Sequence, residues 1–136
     1  VEEHPRQALE HLDGVSGRSP REQREVHEVR ARALLGMDRV DEALAELSKA
    51  ALEDPEAGWA NAQLCVLRAT VEVCERASRL SPTDDGVWNA LGISLAGSGD
   101  LPAAFEAFEQ ACSLSQDPAY CANAARARKD LDAAGP

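Results

Sequence analysis

The chain has 136 residues, which is enough for one domain with one continuous core. Its formal net charge is −10, so repulsion argues against a nucleic-acid partner and favours a neutral or basic protein partner, although solubility alone would also account for the acidity. The chain contains no run of about 18 apolar residues, so we expect no membrane insertion.

The first half of the chain predicts three helices, in chain order. The first runs from about Pro5 to Leu12. The sequence Ser19-Pro20-Arg21-Glu22 is typical of a capping box with proline in the first turn, so the second helix is expected from about Pro20 to Leu35. Gly36 stands where that helix should stop. The third helix is expected from about Val40 to Leu52, with apolar residues at helical spacing.

The segment from Trp59 to Leu80 allows three interpretations. A tight turn near Arg68 to Thr70, with Thr70 as N-cap, would divide it into two short helices. One unbroken helix is also compatible with the spacing of its apolar residues, and so is a connection missing from the sequence as given. The hairpin is favoured because the regular period on either side demands two helices.

Three more helices follow, from about Thr83 to Ala96, Leu101 to Leu114 and Pro118 to Ala133. The sequence Ser81-Pro82-Thr83-Asp84 predicts a second capping box, with Asp in place of Glu. Asp100 and Asp117 are expected to cap the last two helices. No part of the sequence has the pattern of a strand.

A repeat of about 34 residues organises these helices. The segment Arg76–Ser81 is similar in sequence to Gln110–Ser115, which begins thirty-four residues later. Such a period predicts an all-α, right-handed solenoid of stacked antiparallel helix hairpins. The expected divisions of this single domain, 1–136, are a partial repeat 1–20, repeats 21–55 and 83–117, a shortened repeat 56–82 and a capping helix 118–136. Pro55 to Pro82 spans 27 residues, hence the shortened repeat.

Two segments of repeat 83–117, Trp88–Leu95 and Ala104–Ala111, resemble a tetratricopeptide repeat (TPR): an aromatic residue and Leu-Gly on the first helix, and Ala, an aromatic residue and Ala on the second. Ala33–Leu44 resembles the same motif less closely. The resemblance implies a non-enzymatic adaptor that binds a peptide or helix of a partner in a concave groove lined by the first helices. It also allows a self-associating structural scaffold.

An asparagine precedes alanine at the same point of three expected first helices, at Asn61, Asn89 and Asn123. Amide groups in a groove can donate to and accept from a peptide backbone, although surface asparagines can also be merely solvated. Besides the three asparagines, the expected groove-binding residues are Arg32, Arg68 and Ile93. The side chains expected to face the same groove also include Glu28, Tyr120 and Arg126.

The four cysteines form two pairs, Cys65 with Cys74 and Cys112 with Cys121, each nine residues apart. This spacing suits a disulfide across a helix–turn–helix, and Sel1-like repeat proteins use a similar one. Because no secretion signal is visible, four reduced core cysteines are favoured over the bridges, and the spacing disfavours a zinc site. No cofactor, metal or catalytic motif is recognised, although a thiol-dependent enzyme or redox sensor stays possible.

The expected location is the cytoplasm, whereas bridged cysteines would place the protein in the periplasm or outside the cell. No signal peptide is visible. Because the chain starts at Val1, almost inside a helix, we expect it to be an excised piece of a longer protein.

Overall fold

The computed structural model describes residues 19–135, which contain seven helices and no strand. The helix expected from Pro5 to Leu12 lies outside these residues. Within the described range no helix is both long and apolar enough to cross a membrane. The helices are α1 (Pro20–Gly36), α2 (Val40–Glu53), α3 (Gly58–Arg68), α4 (Val71–Leu80), α5 (Asp85–Gly97), α6 (Leu101–Ser115) and α7 (Pro118–Ala134).

Most of the predicted helix starts are confirmed. At α1 the Ser19 hydroxyl accepts from the Glu22 N–H at 3.2 Å, and the Ser19 N–H donates to the Glu22 carboxylate at 3.0 Å, which is the complete capping box. Asp100 accepts from the Ala103 N–H at 3.2 Å at the start of α6. Asp117 accepts from the Ala119 N–H at 2.8 Å at the start of α7.

The capping box predicted at Ser81 is wrong. Ser81 ends α4, and its carbonyl accepts from the Asp84 N–H at 3.1 Å, which closes a turn. Asp84 is therefore the N-cap of α5, with its carboxylate accepting from the Val87 N–H at 3.2 Å. Two short polar residues three positions apart can each begin a helix, and the turn between repeats selects the second.

The hairpin predicted between Trp59 and Leu80 is confirmed, and the unbroken helix is wrong. α3 has 11 residues and α4 has 10, whereas α5 has 13 and α6 has 15. Thr70 occupies the N-cap position of α4, but its side chain makes no capping hydrogen bond. The shortening of this repeat therefore lies mainly in its second helix.

The structure joins both cysteine pairs, and the two bridged turns are built alike. The bonded residues have Cα atoms 4.7 Å apart in each pair. In the first turn the Cys65 carbonyl accepts from Ala69, which is left-handed with φ 52°. In the second the Cys112 carbonyl accepts from Gln116, with φ 57°. Only two residues separate the helices at these turns, fewer than at the other connections between described helices.

The two bridges stand at different points of the repeat and differ in exposure. Cys65–Cys74 joins the first and second helices of the short repeat, and both residues are fully buried. Cys112–Cys121 joins the second helix of one repeat to the first helix of the next, and both residues are half-buried. The chain thus uses the same bridged turn twice, for two different connections.

The described residues form two compact units that divide between Leu64 and Cys65, inside α3. In the first unit α1 packs on α2 through small and aliphatic side chains such as Ala31, Ala43 and Leu47. Polar contacts add to this pairing. Arg24 bonds Glu28 at 2.8 Å and lies 3.4 Å from Asp54, and the hydrogen bond to Glu28 raises the pKa of Arg24. His27 contacts Glu46 at 2.8 Å.

In the second unit α6 packs between α5 and α7. α5 and α6 approach each other closely at Gly92, where a Cβ atom would lie 2.6 Å from ring carbons of Phe108. Phe108 is itself buried, so the absence of a side chain at Gly92 is what admits the ring. This contact sets the spacing of the helices that carry the candidate site.

Candidate functional site

Two of the three expected asparagines meet in the structure. Asn123 of α7 donates its amide hydrogen to the Asn89 oxygen of α5 at 2.9 Å, across a separation of 34 residues. Arg126 donates to the Asn123 oxygen at 2.6 Å. We call Asn89, Asn123 and Arg126 the amide ladder. It links equivalent faces of consecutive first helices.

A cleft of about 390 Å³ lies beside the amide ladder. Its lining is mostly apolar and comes from α5, α6 and α7, with the polar groups contributed by α7. We call it the α5–α7 cleft. Its residues are Ile93, Ala96, Leu101, Ala104, Phe108, Asn123, Arg126, Ala127 and Asp130.

Ile93 is the most exposed large apolar side chain at this cleft, with half of its surface accessible. It stands one helical turn after Asn89, so an amide group and an aliphatic side chain lie together on one face of α5. Arg126 and Asp130 stand one turn apart on α7. The surface therefore offers backbone-pairing groups beside an apolar recess that can hold a side chain.

Asn61 differs from the other two asparagines in its burial and its hydrogen-bond partner. It is fully buried, and its amide donates to the Ala57 carbonyl at 2.9 Å at the start of its own helix. A buried amide has no surface with which to contact a peptide, so Asn61 offers no hydrogen-bonding group to a partner. Glu28 is also buried and is paired with Arg24.

The remaining expected binding residues, Arg32 and Arg68, do not line the α5–α7 cleft. Arg32 is exposed and lies over the ring of Trp59, with its guanidinium carbon 4.1 Å from the ring centre. Arg68 is exposed as the last residue of α3 and does not line the α5–α7 cleft. The structure thus brings Asn89, Ile93 and Asn123 together, with Arg126 beside them.

Tyr120 begins the same face of α7, one turn before Asn123. Its hydroxyl would lie 3.8 Å from a Cβ atom at Gly86, so it approaches the start of α5. Burial raises the pKa of Tyr120, and the carboxylates of Asp85, Asp117 and Asp84 raise it further because they disfavour a second negative charge. The phenol therefore stays neutral and can serve as a hydrogen-bond donor.

Sequence reasoning missed the floor of the cleft. Phe108 and Ala104 were assigned to the repeat motif and Leu101 to a helix start, with no binding role. Alanines at Ala96, Ala104 and Ala127 are the signal that could have indicated a recess, because small side chains leave space where helices diverge. Among the described residues, no three histidine, cysteine or acidic side chains cluster as a metal site would require.

No protein-family model and no curated protein sequence matches the chain. Solved structures of MamA, a TPR-like protein, do match it in fold. A point mutant of MamA is 17% identical with a TM-score of 0.75, over 94% of this chain and 74% of that one. MamA AMB-1 is 16% identical with a TM-score of 0.74, over 96% and 81%. MamA MSR-1 is 17% identical with a TM-score of 0.71, over 94% and 78%.

These similarities show the fold of the chain, which is the TPR-like arrangement of helical hairpins. The expected fold class is therefore confirmed. At such low identity the binding properties of the neighbours do not transfer with the fold, because functional sites vary widely on a shared scaffold.

Proposed function

We propose that the chain is a non-enzymatic protein–protein interaction module that binds a peptide or helix of a partner on the first-helix face of residues 65–135. The observation that carries the proposal is the amide ladder at the edge of the α5–α7 cleft. It combines backbone-reading groups with an apolar recess, which is the chemistry that peptide recognition uses.

The amide ladder has hydrogen-bonding capacity to offer. The Asn89 oxygen accepts from Asn123, but in the described part of the chain no acceptor is paired with the Asn89 amide nitrogen. Asn123 uses one of its two amide hydrogens on Asn89, and Arg126 carries further N–H groups. A partner backbone carbonyl can accept from these donors without displacing a bond within the ladder.

The α5–α7 cleft supplies the apolar part of the recognition. Ile93 at its edge is half exposed, and Phe108 and Leu101 line it. Burying one apolar anchor of the partner there removes exposed apolar surface from water, which contributes about 25 cal/mol per Å². The net charge of −10 favours a partner that is neutral or basic.

Peptides selected by display against the folded chain provide the ligand for a test. Fluorescence anisotropy would compare the dissociation constants of the unaltered chain and the Asn89→Ala/Asn123→Ala variant. Each lost hydrogen bond contributes about 1 kcal/mol, so we expect roughly tenfold or more weaker binding. Ile93→Asp should also weaken binding, whereas Leu114→Asp, which places the same charge on α6 outside the cleft, should not.

Circular dichroism and thermal melting show whether each variant is folded. Unchanged affinity in the folded Asn89→Ala/Asn123→Ala variant would contradict the proposal. Equal losses in Ile93→Asp and Leu114→Asp would show that added negative charge, rather than the cleft, accounts for the effect.

Self-association as a scaffold is a second candidate. The side chains of Val66 and Ile93 are 49% and 50% exposed. Exposed large apolar side chains are often covered by a second copy of the same protein. The TPR-like neighbours point to protein-interaction or self-assembling scaffolds as a class. Light scattering across concentration tests this candidate, and a monomer at every concentration would exclude it.

The two bridged cysteine pairs favour an oxidising compartment, such as the periplasm or the cell exterior, as the location of the protein. Titration of thiols in denatured, unreduced protein from its native source tests this. We expect no free thiol, whereas four titrating thiols would place the protein in a reducing compartment.

A further inference from the structure

A second cleft, of about 350 Å³, lies on a different face of α5, between α4 and α6. Its lining includes a half-buried tryptophan ring, aliphatic side chains of α5 and polar side chains from the flanking helices. We call it the tryptophan cleft. The residues that matter are Trp88, Leu91, Leu95, Glu75, Glu106 and Gln110.

The tryptophan ring at this cleft is held in place. The Trp88 indole N–H donates to the Pro82 carbonyl at 2.8 Å, which fixes the ring against the turn that precedes α5. Leu91 and Leu95 are nearly buried below it on the same helix. A ring whose orientation is already set loses little freedom when a ligand stacks on it.

Two carboxylates from different helices line the same cleft. Glu75 comes from α4 and Glu106 from α6, and both are exposed. Among the described residues neither side chain takes part in an ion pair. Their charges are therefore not neutralised by the part of the chain that the structure describes, and they favour a cation in the cleft over a neutral or anionic group.

The other tryptophan of the chain already makes a cation–π contact with an arginine. Near the start of α3 the Arg32 guanidinium lies 4.1 Å from the centre of the Trp59 ring. Trp88 stands near the start of α5, but within the described range no arginine or lysine covers its ring. The tryptophan cleft thus has the aromatic platform of the Arg32–Trp59 pair without the cation.

We propose that the tryptophan cleft binds an arginine side chain of a protein partner. The guanidinium stacks on the Trp88 ring and donates to Glu75 and Glu106, and its aliphatic stem lies along Leu91 and Leu95. Arginine fits better than lysine because its planar fork stacks on an aromatic ring and donates in two directions. The net charge of −10 draws such a partner toward the chain.

This site is independent of the amide ladder, because the two surfaces share none of the residues that define them. Substitution of Glu75 and Glu106 leaves Asn89, Ile93 and Asn123 in place. Failure of the arginine site therefore does not count against peptide binding at the α5–α7 cleft, and the reverse also holds.

The test uses N-acetyl-arginine amide as the probe and N-acetyl-citrulline amide as its uncharged equivalent. Nuclear magnetic resonance of the ¹⁵N-labelled chain resolves the indole N–H signals of its two tryptophans, and a Trp59→Phe variant assigns them. We expect the arginine probe to shift the Trp88 signal with a dissociation constant on the order of 10 mM, since one side chain makes few contacts. The citrulline probe should shift it far less.

Two matched variants separate the site from general attraction to an acidic protein. Glu75→Gln/Glu106→Gln should weaken the arginine probe about fivefold or more, since two charged contacts are lost. Glu72→Gln/Glu109→Gln removes the same charge from the same two helices, but neither residue lines the cleft. It should leave the titration of Trp88 nearly unchanged.

Three results would each overturn the proposal. They are equal shifts with the citrulline probe, equal weakening by the two double variants, and no movement of the Trp88 signal at probe concentrations up to about ten times the expected constant. The remaining backbone signals show whether each variant keeps the fold. Because both glutamates are exposed and glutamine has their shape, we expect it to be kept.

Discussion

Gly92→Ala tests whether the approach of α5 to α6 is as close as the structure shows. A Cβ atom at Gly92 would lie 2.6 Å from Cδ1 and Cε1 of Phe108 and 2.9 Å from Cγ. Carbon atoms in ordinary contact stand about 3.5–4.0 Å apart, so the ring must retreat by about 1 Å. Phe108 is only 6% exposed, so most of its surface is in contact with neighbouring groups that must shift with it.

The expected magnitude follows from two opposing effects. Overpacking of this size in a core costs about 3 kcal/mol, at the upper end of the usual range, because the new Cβ atom would clash with three ring carbons. Alanine gains about 1 kcal/mol over glycine in helix propensity. The net loss is therefore about 2 kcal/mol, which for a chain of this length lowers the melting temperature by about 8 °C.

Gly97→Ala is the matched control on the same helix. A Cβ atom at Gly97 would meet nothing within 4 Å, so this variant keeps the alanine and omits the clash. We expect its stability to equal or slightly exceed that of the unaltered chain. Urea unfolding of both variants, followed by circular dichroism, gives the difference directly.

Phe108→Leu provides a second check, because it removes the ring that the new Cβ atom would meet. In that background Gly92→Ala should cost much less than it does alone. A Gly92→Ala variant that melts at or above the temperature of the unaltered chain would refute the close approach. So would an equal cost of Gly92→Ala with and without the Phe108 ring.

The remaining predictions concern a bridge, a cap and a titration. Cys112→Ser/Cys121→Ser should lower the free energy of unfolding by about 2.5 kcal/mol, because a closed loop of about ten residues is opened in the unfolded chain; a urea midpoint equal to that of the bridged protein would contradict this. Asp100→Ala should cost about 1 kcal/mol through loss of the α6 cap, again by urea unfolding, and an unchanged midpoint would show that the cap is not stabilising. Tyr120 is the one tyrosine in the sequence, so absorbance at alkaline pH reports its ionisation alone, and its pKa should exceed the ordinary tyrosine value of 10.0. Because the pKa of Tyr120 is raised in the folded chain, the stability that this shift contributes is present below pH 10.0 and is lost as the pH rises through the folded pKa. If the titration midpoint of Tyr120 did not fall when the chain is unfolded in urea, the burial of the phenol would be contradicted.

The sequence predicted the start of a helix correctly where a local side chain provides the cap. Ser19 with Glu22, Asp100 and Asp117 all cap as expected, because a cap depends on side chains and backbone within a few positions. The failure at Ser81 has the same origin. Ser81 and Asp84 are both competent caps, and the turn between repeats decides which is used.

The candidate site was predicted only in part. The period of 34 residues correctly aligned Asn89 with Asn123, which bond each other. It could not distinguish Asn61, which stands two residues after Trp59 whereas Asn89 directly follows Trp88, and the Asn61 amide donates to its own helix backbone. The floor of the α5–α7 cleft was missed because it depends on how three helices diverge, which no pairwise spacing encodes.

The sequence alone determined the helical hairpins, their period and the presence of a short repeat, since these follow from helical spacing, caps and turn residues acting over a few positions. Tertiary structure alone decided which asparagine is buried, where the two clefts open, and that one bridge is fully buried and the other half-buried. The reason is physical: burial and cavities are set by packing between residues distant in sequence, such as Gly92 against Phe108.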